Sequence, residues 1–480
     1  MDTAGLWMLG LVAILIVATG LPAFAVLIGV AVLFAAVGIA VGAISFPLLT
    51  ALPPRLIGLL ENDLLQALPL YILIGALLNF LPLADILFRA GNTLLTRTRA
   101  APVLSAIGLG AILAPMNGSV GASVAMLSRT VQPRLLARGV KPAQSLAVVC
   151  VSSTLGVVVP PSLVLILLGD AMMRAHTEAV NITRQATRIV NTQDVFRGAL
   201  IPACIFLVLC LVLAWWTARR RTAEKVPEAP LTVGQWLTAG FVLVFIVGLL
   251  VTVAAGYLYA VEAAATGAFA LVVFGLATRS LTGAVIDKVL HNTMAVTGAL
   301  FALFVAATTF TLVFRAFGTD VVLAQLIQDI PGGAVGCAVA VLSVFGLCAF
   351  VLDAFEIIFV IVPIVMPPLL TRVPDAVWMA SATMLVLQAS FLIPPIGYAV
   401  MMARTTAKTA VATAALVRAL APYLAAQFLV LASVVVFPSL THVIGQNDAA
   451  SASAPLSDEE VEKQFNSIVP EPEPTPPEIE

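Results

Sequence analysis

Apolar runs long enough to cross a bilayer, separated by charged or Gly/Pro-rich breaks, dominate the chain. Residues 6–19 and 22–47 are the first two, with only Gly20-Leu21-Pro22 turning between them, and residues 66–88 follow, ending at Arg89, Arg97 and Arg99. The run 102–125 is interrupted at its centre by Pro115-Met116-Asn117-Gly118-Ser119, and the run 143–168 by Pro160-Pro161. Residues 172–197 are too charged to span and read as a polar insert. Beyond it, residues 199–216 span and stop at Arg219-Arg220-Arg221, and 236–254 and 257–277 are two further spans. Residues 293–314, 335–365, 376–402 and 410–437 complete the set. With about 20 residues needed per helical crossing, the pattern predicts an all-α polytopic membrane protein.

Composition agrees. Of 480 residues 61% are hydrophobic and 10% charged, against roughly 25% charged in soluble domains, which excludes a water-soluble enzyme. The net charge of −1 divides into a tail of −7 over residues 454–480 and a body of +6. That tail, with Pro-Glu-Pro-Glu-Pro-Thr-Pro-Pro, reads as disordered. Cys150, Cys204, Cys210, Cys337 and Cys348 all lie in apolar runs without CxxC or histidine spacing, so they read as buried small hydrophobes, not disulfides or zinc ligands. His176, His291 and His442 are far apart. Asp2 and the lack of a basic leader make residues 6–19 a retained span. No GxxxxGK[ST] motif occurs, so any work must draw on a source other than P-loop ATP hydrolysis.

A repeat changes the picture. Shifted by 234 residues, Pro133 meets Pro367, Leu135-Leu136-Ala137-Arg138 meets Leu369-Leu370-Thr371-Arg372, and Pro160-Pro161 meets Pro394-Pro395. Phe88-Arg89-Ala90 also resembles Phe314-Arg315-Ala316. The first Leu-Leu-x-Arg lies in a loop with Arg129, Arg134, Arg138 and Lys141, cytoplasmic by the positive-inside rule; its counterpart has only Arg372 and Asp375, as a periplasmic loop would. Three spans between the copies make them inverted, an architecture of secondary transporters. The division expected is N-terminal scaffold helices 1–60 and a first repeat 61–170, with hairpin 102–128 and broken helix 143–168. A periplasmic insert 171–198 and connecting scaffold helices 199–291 come next. A second repeat 292–405, with re-entrant hairpin 335–368 and broken helix 376–403, precedes a C-terminal helix 406–440 and the tail 441–480.

Helix breaks in hydrocarbon survive only inside protein or beside a water-filled cavity. The breaks supply the candidate residues: Asn117, Gly118 and Ser119; Ser153, Thr154, Gly156, Pro160 and Pro161; Asp353 and Ala354; Gln388, Ser390, Pro394, Pro395 and Gly397. Freed carbonyls with Ser, Thr and Asn oxygens suit a small hard cation, and helix N-termini suit a carboxylate. The alternative for each Ser, Thr or Gly is close helix packing. Asp353 either joins a cation site or caps a half-helix, and Glu356 is expected to pair with a basic residue. Glu262 falls in a scaffold span, and Arg55, Arg89 and Arg315 read as flank anchors before anion guides.

Gly139-Val140-Lys141-Pro142-Ala143 with Ser153-Thr154-Leu155-Gly156-Val157-Val158-Val159-Pro160-Pro161-Ser162 resembles the large membrane subunit of tripartite ATP-independent periplasmic (TRAP) transporters. Asp353-Ala354-Phe355-Glu356-Ile357 and Ser390-Phe391-Leu392-Ile393-Pro394-Pro395-Ile396-Gly397 agree, and residues 191–199 look like the mannitol/chloroaromatic/2-oxo acid subgroup. Pro115-Met116-Asn117 departs from the small residues usual at that hairpin tip. The resemblance implies a multi-pass protein of the bacterial inner membrane that is not an enzyme. It implies sodium-driven elevator uptake of an organic acid, with sodium as coupling ion and no other metal or cofactor. The implied partners are a separate small four-helix membrane subunit and a periplasmic solute-binding protein, with no nucleic acid. A sodium-coupled carrier of the divalent-anion type, working without a binding protein, is the nearest alternative; a channel or an intramembrane enzyme is a more distant one.

Overall fold

In lipid a backbone must satisfy its own hydrogen bonds. In the computed structural model every regular element among the described residues (3–61, 63–95, 98–117, 119–160, 162–184, 190–219, 230–393, 397–407 and 411–444) is helical. α1 (Ala4–Thr19) and α2 (Ala23–Ala40) meet at Gly20, whose φ of 64° is the left-handed backbone glycine adopts freely. Short α3 (Phe46–Leu49) and α4 (Leu52–Leu60) lead to α5 (Asp63–Phe80), which bends by 65° into α6 (Leu83–Leu94). A hairpin follows, made of α7 (Ala101–Leu113), a tight 3-10 turn at Ala114–Asn117 and α8 (Val120–Thr130), then α9 (Gln132–Ala137). α10 (Pro142–Val158) and α11 (Leu163–Thr183) are the halves of a broken helix.

Three uninterrupted helices, α12 (Thr192–Ala218), α13 (Val233–Ala255) and α14 (Ala260–Ala277), separate this series from its second occurrence. There α15 (Gly283–Ala316) and α16 (Thr319–Gln328) take the places of α5 and α6. The second hairpin is α17 (Gly333–Cys348), α18 (Ala354–Glu356), a π-helical turn at Ile357–Ile361 and α19 (Val362–Leu370). The second broken helix is α20 (Ala376–Leu392) with α21 (Tyr398–Thr406), and α22 (Thr413–Val436) closes the fold. An odd number of intervening helices turns the second copy over, so the inverted-repeat reading stands.

Proline explains the breaks. It disfavours helical backbone in the residue before it; Val159 and Ile393, each followed in sequence by a proline, end α10 and α20 in extended conformation with ψ of 114° and 110°. The restarts are capped where a hydroxyl is available. Ser119 accepts from the Ala122 amide at 3.1 Å to open α8, and Ser162 from the Leu165 amide at 3.1 Å to open α11.

The broken helices lie deepest. Every residue of α20 is buried, and α10 packs against α7, α8, α20 and α22. By contrast α13 and α14 turn Val244 and Phe269, each more than 70% exposed, away from the protein, as bilayer-facing helices do. Residues 172–183, read as part of an insert, instead continue α11, and 192–197 begin α12. Hydropathy reports what sits in lipid, and a helix that projects beyond it stays helical. Cys204 is exposed and Cys348 half-buried, unlike buried Cys150, Cys210 and Cys337, because a helix facing hydrocarbon has no need to bury a small apolar side chain in protein. Glu262 lies at the exposed start of α14, accepting from the Tyr259 amide at 2.9 Å in a capping box. Of the tail expected over 441–480, residues 441–444 are described, closing a short 3-10 turn after α22, and the acidic remainder lies outside the described residues.

One contact ties the end of the fold to the second broken helix. Asp375 accepts from the Trp378 amide at 2.9 Å to cap α20, and its other oxygen lies 2.6 Å from Nε2 of His442, beyond α22. The hydrogen bond and charge of Asp375, partly opposed by burial, hold the His442 pKa above its usual 6.5. The contribution is therefore full below the unfolded pKa and fades as pH rises through the folded one. Both groups are partly exposed, so the pair is worth about 1 kcal/mol at most. His442→Gln is expected to lower the melting temperature in detergent at pH 6 and to have no effect near pH 9; equal effects at both would contradict this.

Candidate functional site

The first hairpin rests directly on α10. A Cβ at Gly110 would lie 2.4 Å from the Ser152 carbonyl oxygen, and one at Gly156 would lie 2.5 Å from the backbone of Ala114. These two glycines let helix backbones touch at the break. Between them Pro115, Ser119, Ser153 and Gly156, with apolar neighbours from α8, α10 and α11, line a cavity of about 10 Å³. That is about the least space that admits one water. Three sequence-predicted residues, Ser119, Ser153 and Gly156, are thus brought to one point.

Their neighbours complete the polar lining of the break. Asn117 is buried; its Nδ2 donates to Ser123 Oγ at 3.0 Å, while its Oδ1 meets no partner among the described residues. Ser153 and Thr154 donate to the carbonyls of Cys150 and Val151 at 2.8 and 3.0 Å, leaving their oxygen lone pairs for another group. Ser152, wholly buried, has an unpartnered hydroxyl among the described residues. Pro160 is buried after the end of α10. Gly118 and Pro161 lie outside the described residues.

The second repeat is built from the same parts with more charge. Asp353 caps the hairpin tip, accepting from the Ala354 amide at 2.7 Å, while Glu356 reaches back to accept from the Asp353 amide at 2.9 Å. Glu356 was expected to meet a basic residue; instead it closes a capping box with the open amide three residues away at the helix start. Ala354 is buried beneath the tip. Gln388 is 0% exposed and neither end of its amide finds a partner among the described residues. Ser390 donates to the Leu387 carbonyl at 2.6 Å and lines a separate groove of about 320 Å³ with Ser343, Gly346 and Phe428. Gly397 follows the break where a Cβ would meet the Phe391 carbonyl oxygen at 2.5 Å. Pro394 and Pro395 lie outside the described residues.

The two repeats cross. α10 packs on α20 and α8 on α21, where Thr406 meets Ser128 at 3.1 Å and Tyr398 leaves no room for a side chain at Gly121. No described residue of the second repeat lines the small cavity of the first, so the candidate residues fall into two separate groups. Gly75 of α5 escaped the sequence reading: a Cβ there would lie 2.6 Å from the Asn117 carbonyl oxygen. A glycine in mid-span was the available signal, but α5 has no break to draw attention to it.

Comparison with known proteins supplies the family. The family described as tripartite ATP-independent periplasmic transporter, DctM component, matches residues 9–440. A Haemophilus influenzae protein named as a TRAP transporter large permease is 21% identical over 389 residues, covering 80% of this chain and 92% of its own. The C4-dicarboxylate TRAP transporter large permease protein DctM of Pseudomonas aeruginosa is 23% identical over 180 residues, 37% of this chain and 38% of that protein. Among solved structures, the Alcanivorax borkumensis YdaH transporter, described as having an unusual topology, shares the fold with a TM-score of 0.53 and 19% identity over 82% of this chain and 88% of its own. With the family matched along nearly the whole of its helical body, this chain belongs to the DctM family, the large permease component of TRAP transporters.

Proposed function

We propose that the chain carries an organic acid inward across the bacterial inner membrane in symport with sodium. In this reading a periplasmic binding protein delivers the solute and a small four-helix membrane subunit accompanies the permease. The observation that carries it is the set of buried oxygens at the paired breaks: Asn117 Oδ1, Ser152 Oγ and Gln388 Oε1 lack partners among the described residues, and in the first repeat Ser119, Ser153 and Gly156 line a cavity near the size of one small ion. Unpaired polar groups in a core cost about 1–3 kcal/mol each, so a coupling ion that ligates them answers for their presence. Ser119, Ser153 and the carbonyls around Gly156 supply the first cation site; Asp353, Gln388 and the carbonyls near Ser390 and Gly397 supply the second. The amides opening α8 and α11 favour the solute carboxylate, and the C4-dicarboxylate named for one relative is of that class. The hairpins, broken helices, α12 and α22 move as a body past α1–α6 and α13–α16, carrying both sites across.

Uptake into proteoliposomes tests this. With the small subunit present and binding protein outside, an inward sodium gradient is expected to drive accumulation of a 2-oxo acid, dicarboxylate or sugar acid. Sodium-driven uptake that ignores the binding protein would favour the divalent-anion type of carrier instead. Asp353→Asn keeps the cap, since asparagine caps as well as aspartate, and removes the charge. It is expected to leave folding intact and cut sodium-dependent uptake more than tenfold, whereas wild-type uptake would make Asp353 a cap and nothing more.

A further inference from the structure

A cavity of about 450 Å³ opens between α4, α11, α15 and the second hairpin. Arg315, in the last turn of α15, bridges it. Its Nη1 and Nη2 donate to Glu178 Oε1 and Oε2 of α11 at 2.7 and 3.0 Å, and Nη2 also donates to the Pro363 carbonyl of α19 at 3.0 Å. The sequence frees that carbonyl: its helical donors would be residues 367 and 368, and both are prolines without an N–H. One guanidinium therefore holds a carboxylate and an orphaned carbonyl on two different elements. Lower on the same interface the rings of Phe304 and Phe359 meet edge to face with centroids 4.6 Å apart, an apolar contact that tolerates sliding better than a forked hydrogen bond does.

We propose that Arg315 is a positioning residue for transport, a latch that holds α11 and the second hairpin against α15 in the conformation seen and must release in each cycle. The inference rests on the reading that those elements move past α15. A shift along α15 of one helical turn, about 5.4 Å, breaks all three hydrogen bonds at once. Both partners are about one-third exposed to the cavity, with side-chain exposures of 31% and 38%. Separation therefore exchanges each charge's partner for water, whereas a dry pair would leave charges stranded. The neighbouring rim charges Arg174 and Asp170 pair at 3.0 Å within α11, so that pair travels intact.

Spin labels at Ile182 of α11 and Met294 of α15, both exposed, test the proposal by pulsed distance measurement on the full chain in lipid nanodiscs, its five native cysteines replaced by alanine. Distances are compared in sodium chloride and in choline chloride. Two distances are expected, with the latched population lowered at least threefold relative to the other in Arg315→Gln and Glu178→Gln. Arg315→Lys should be intermediate, since an ammonium lacks the fork. Melting temperatures identify any variant whose change is loss of fold, and Glu178→Gln alone suffices where Arg315→Gln does not fold. Two distances with unchanged populations in both neutral variants would overturn the latch alone. A single distance under every condition would overturn the moving-body reading itself, and the latch with it.

Discussion

Replacing Gln388 with leucine is expected to raise the melting temperature and abolish sodium-driven uptake. The amide lies at 0% exposure in a helix whose every residue is buried, with no partner among the described residues for either end. A buried polar group left unpaired costs about 1–3 kcal/mol, whereas an apolar side chain of similar shape removes that penalty. A residue kept only for packing gains nothing from leaving both ends of its amide unpaired. Gln427 is the control: equally buried on α22, it donates from Nε2 to the Leu385 carbonyl at 2.9 Å, and only its Oε1 lacks a partner among the described residues. Gln427→Leu removes that interhelical hydrogen bond and is expected to lower the melting temperature. Opposite stability effects of one chemical change at two buried glutamines would separate a ligand-binding amide from a structural one. A lower melting temperature for Gln388→Leu, or wild-type uptake, would contradict the assignment.

The features legible in the sequence were those with a local cause. A proline acts on the residue before it, so the 234-residue offset between Pro160 and Pro394 carries over into the extended conformations of Val159 and Ile393. Polar tips in otherwise apolar runs were equally local, and they marked both hairpins. Features with a distant cause were not legible. Arg315 and Glu178 are 137 residues apart, and each has a plain local reading as a charge near a helix end. The pair becomes visible only when α11 and α15 are laid side by side and Pro367 is seen to have released the Pro363 carbonyl. Asp353 lies between these cases. The sequence left cap and cation ligand open; the cap is now plain, yet a carboxylate oxygen engaged by one amide retains lone pairs for a cation. Gly75 was illegible because its reason, the backbone of Asn117, belongs to another helix.

Gly156→Ala is expected to cost more in sodium affinity than in folding. Its added Cβ would lie 2.5 Å from the carbonyl carbon and oxygen of Ala114 and 2.9 Å from the Ala114 Cβ. Backbone cannot rotate aside as a side-chain end can, so the hairpin must lift from α10. Overpacking of this kind costs about 1–3 kcal/mol, which a large helical membrane body survives at a lowered melting temperature. The same lift parts Pro115 and Ser119 from Ser153 across the 10 Å³ cavity, where a small displacement changes every ligand distance. Apparent sodium affinity is therefore expected to fall at least tenfold at moderate loss of stability. Gly108→Ala, in the same hairpin but with nothing within 4 Å of the new methyl group, should be neutral or stabilising by up to about 1 kcal/mol through helix propensity. If Gly156→Ala lost stability yet kept wild-type sodium affinity, the cavity would be a packing defect, and the cation site would have to be sought at the second hairpin alone. If both variants lost affinity together, the first hairpin would act as a unit whose helical stiffness, not its contact with α10, sets the site.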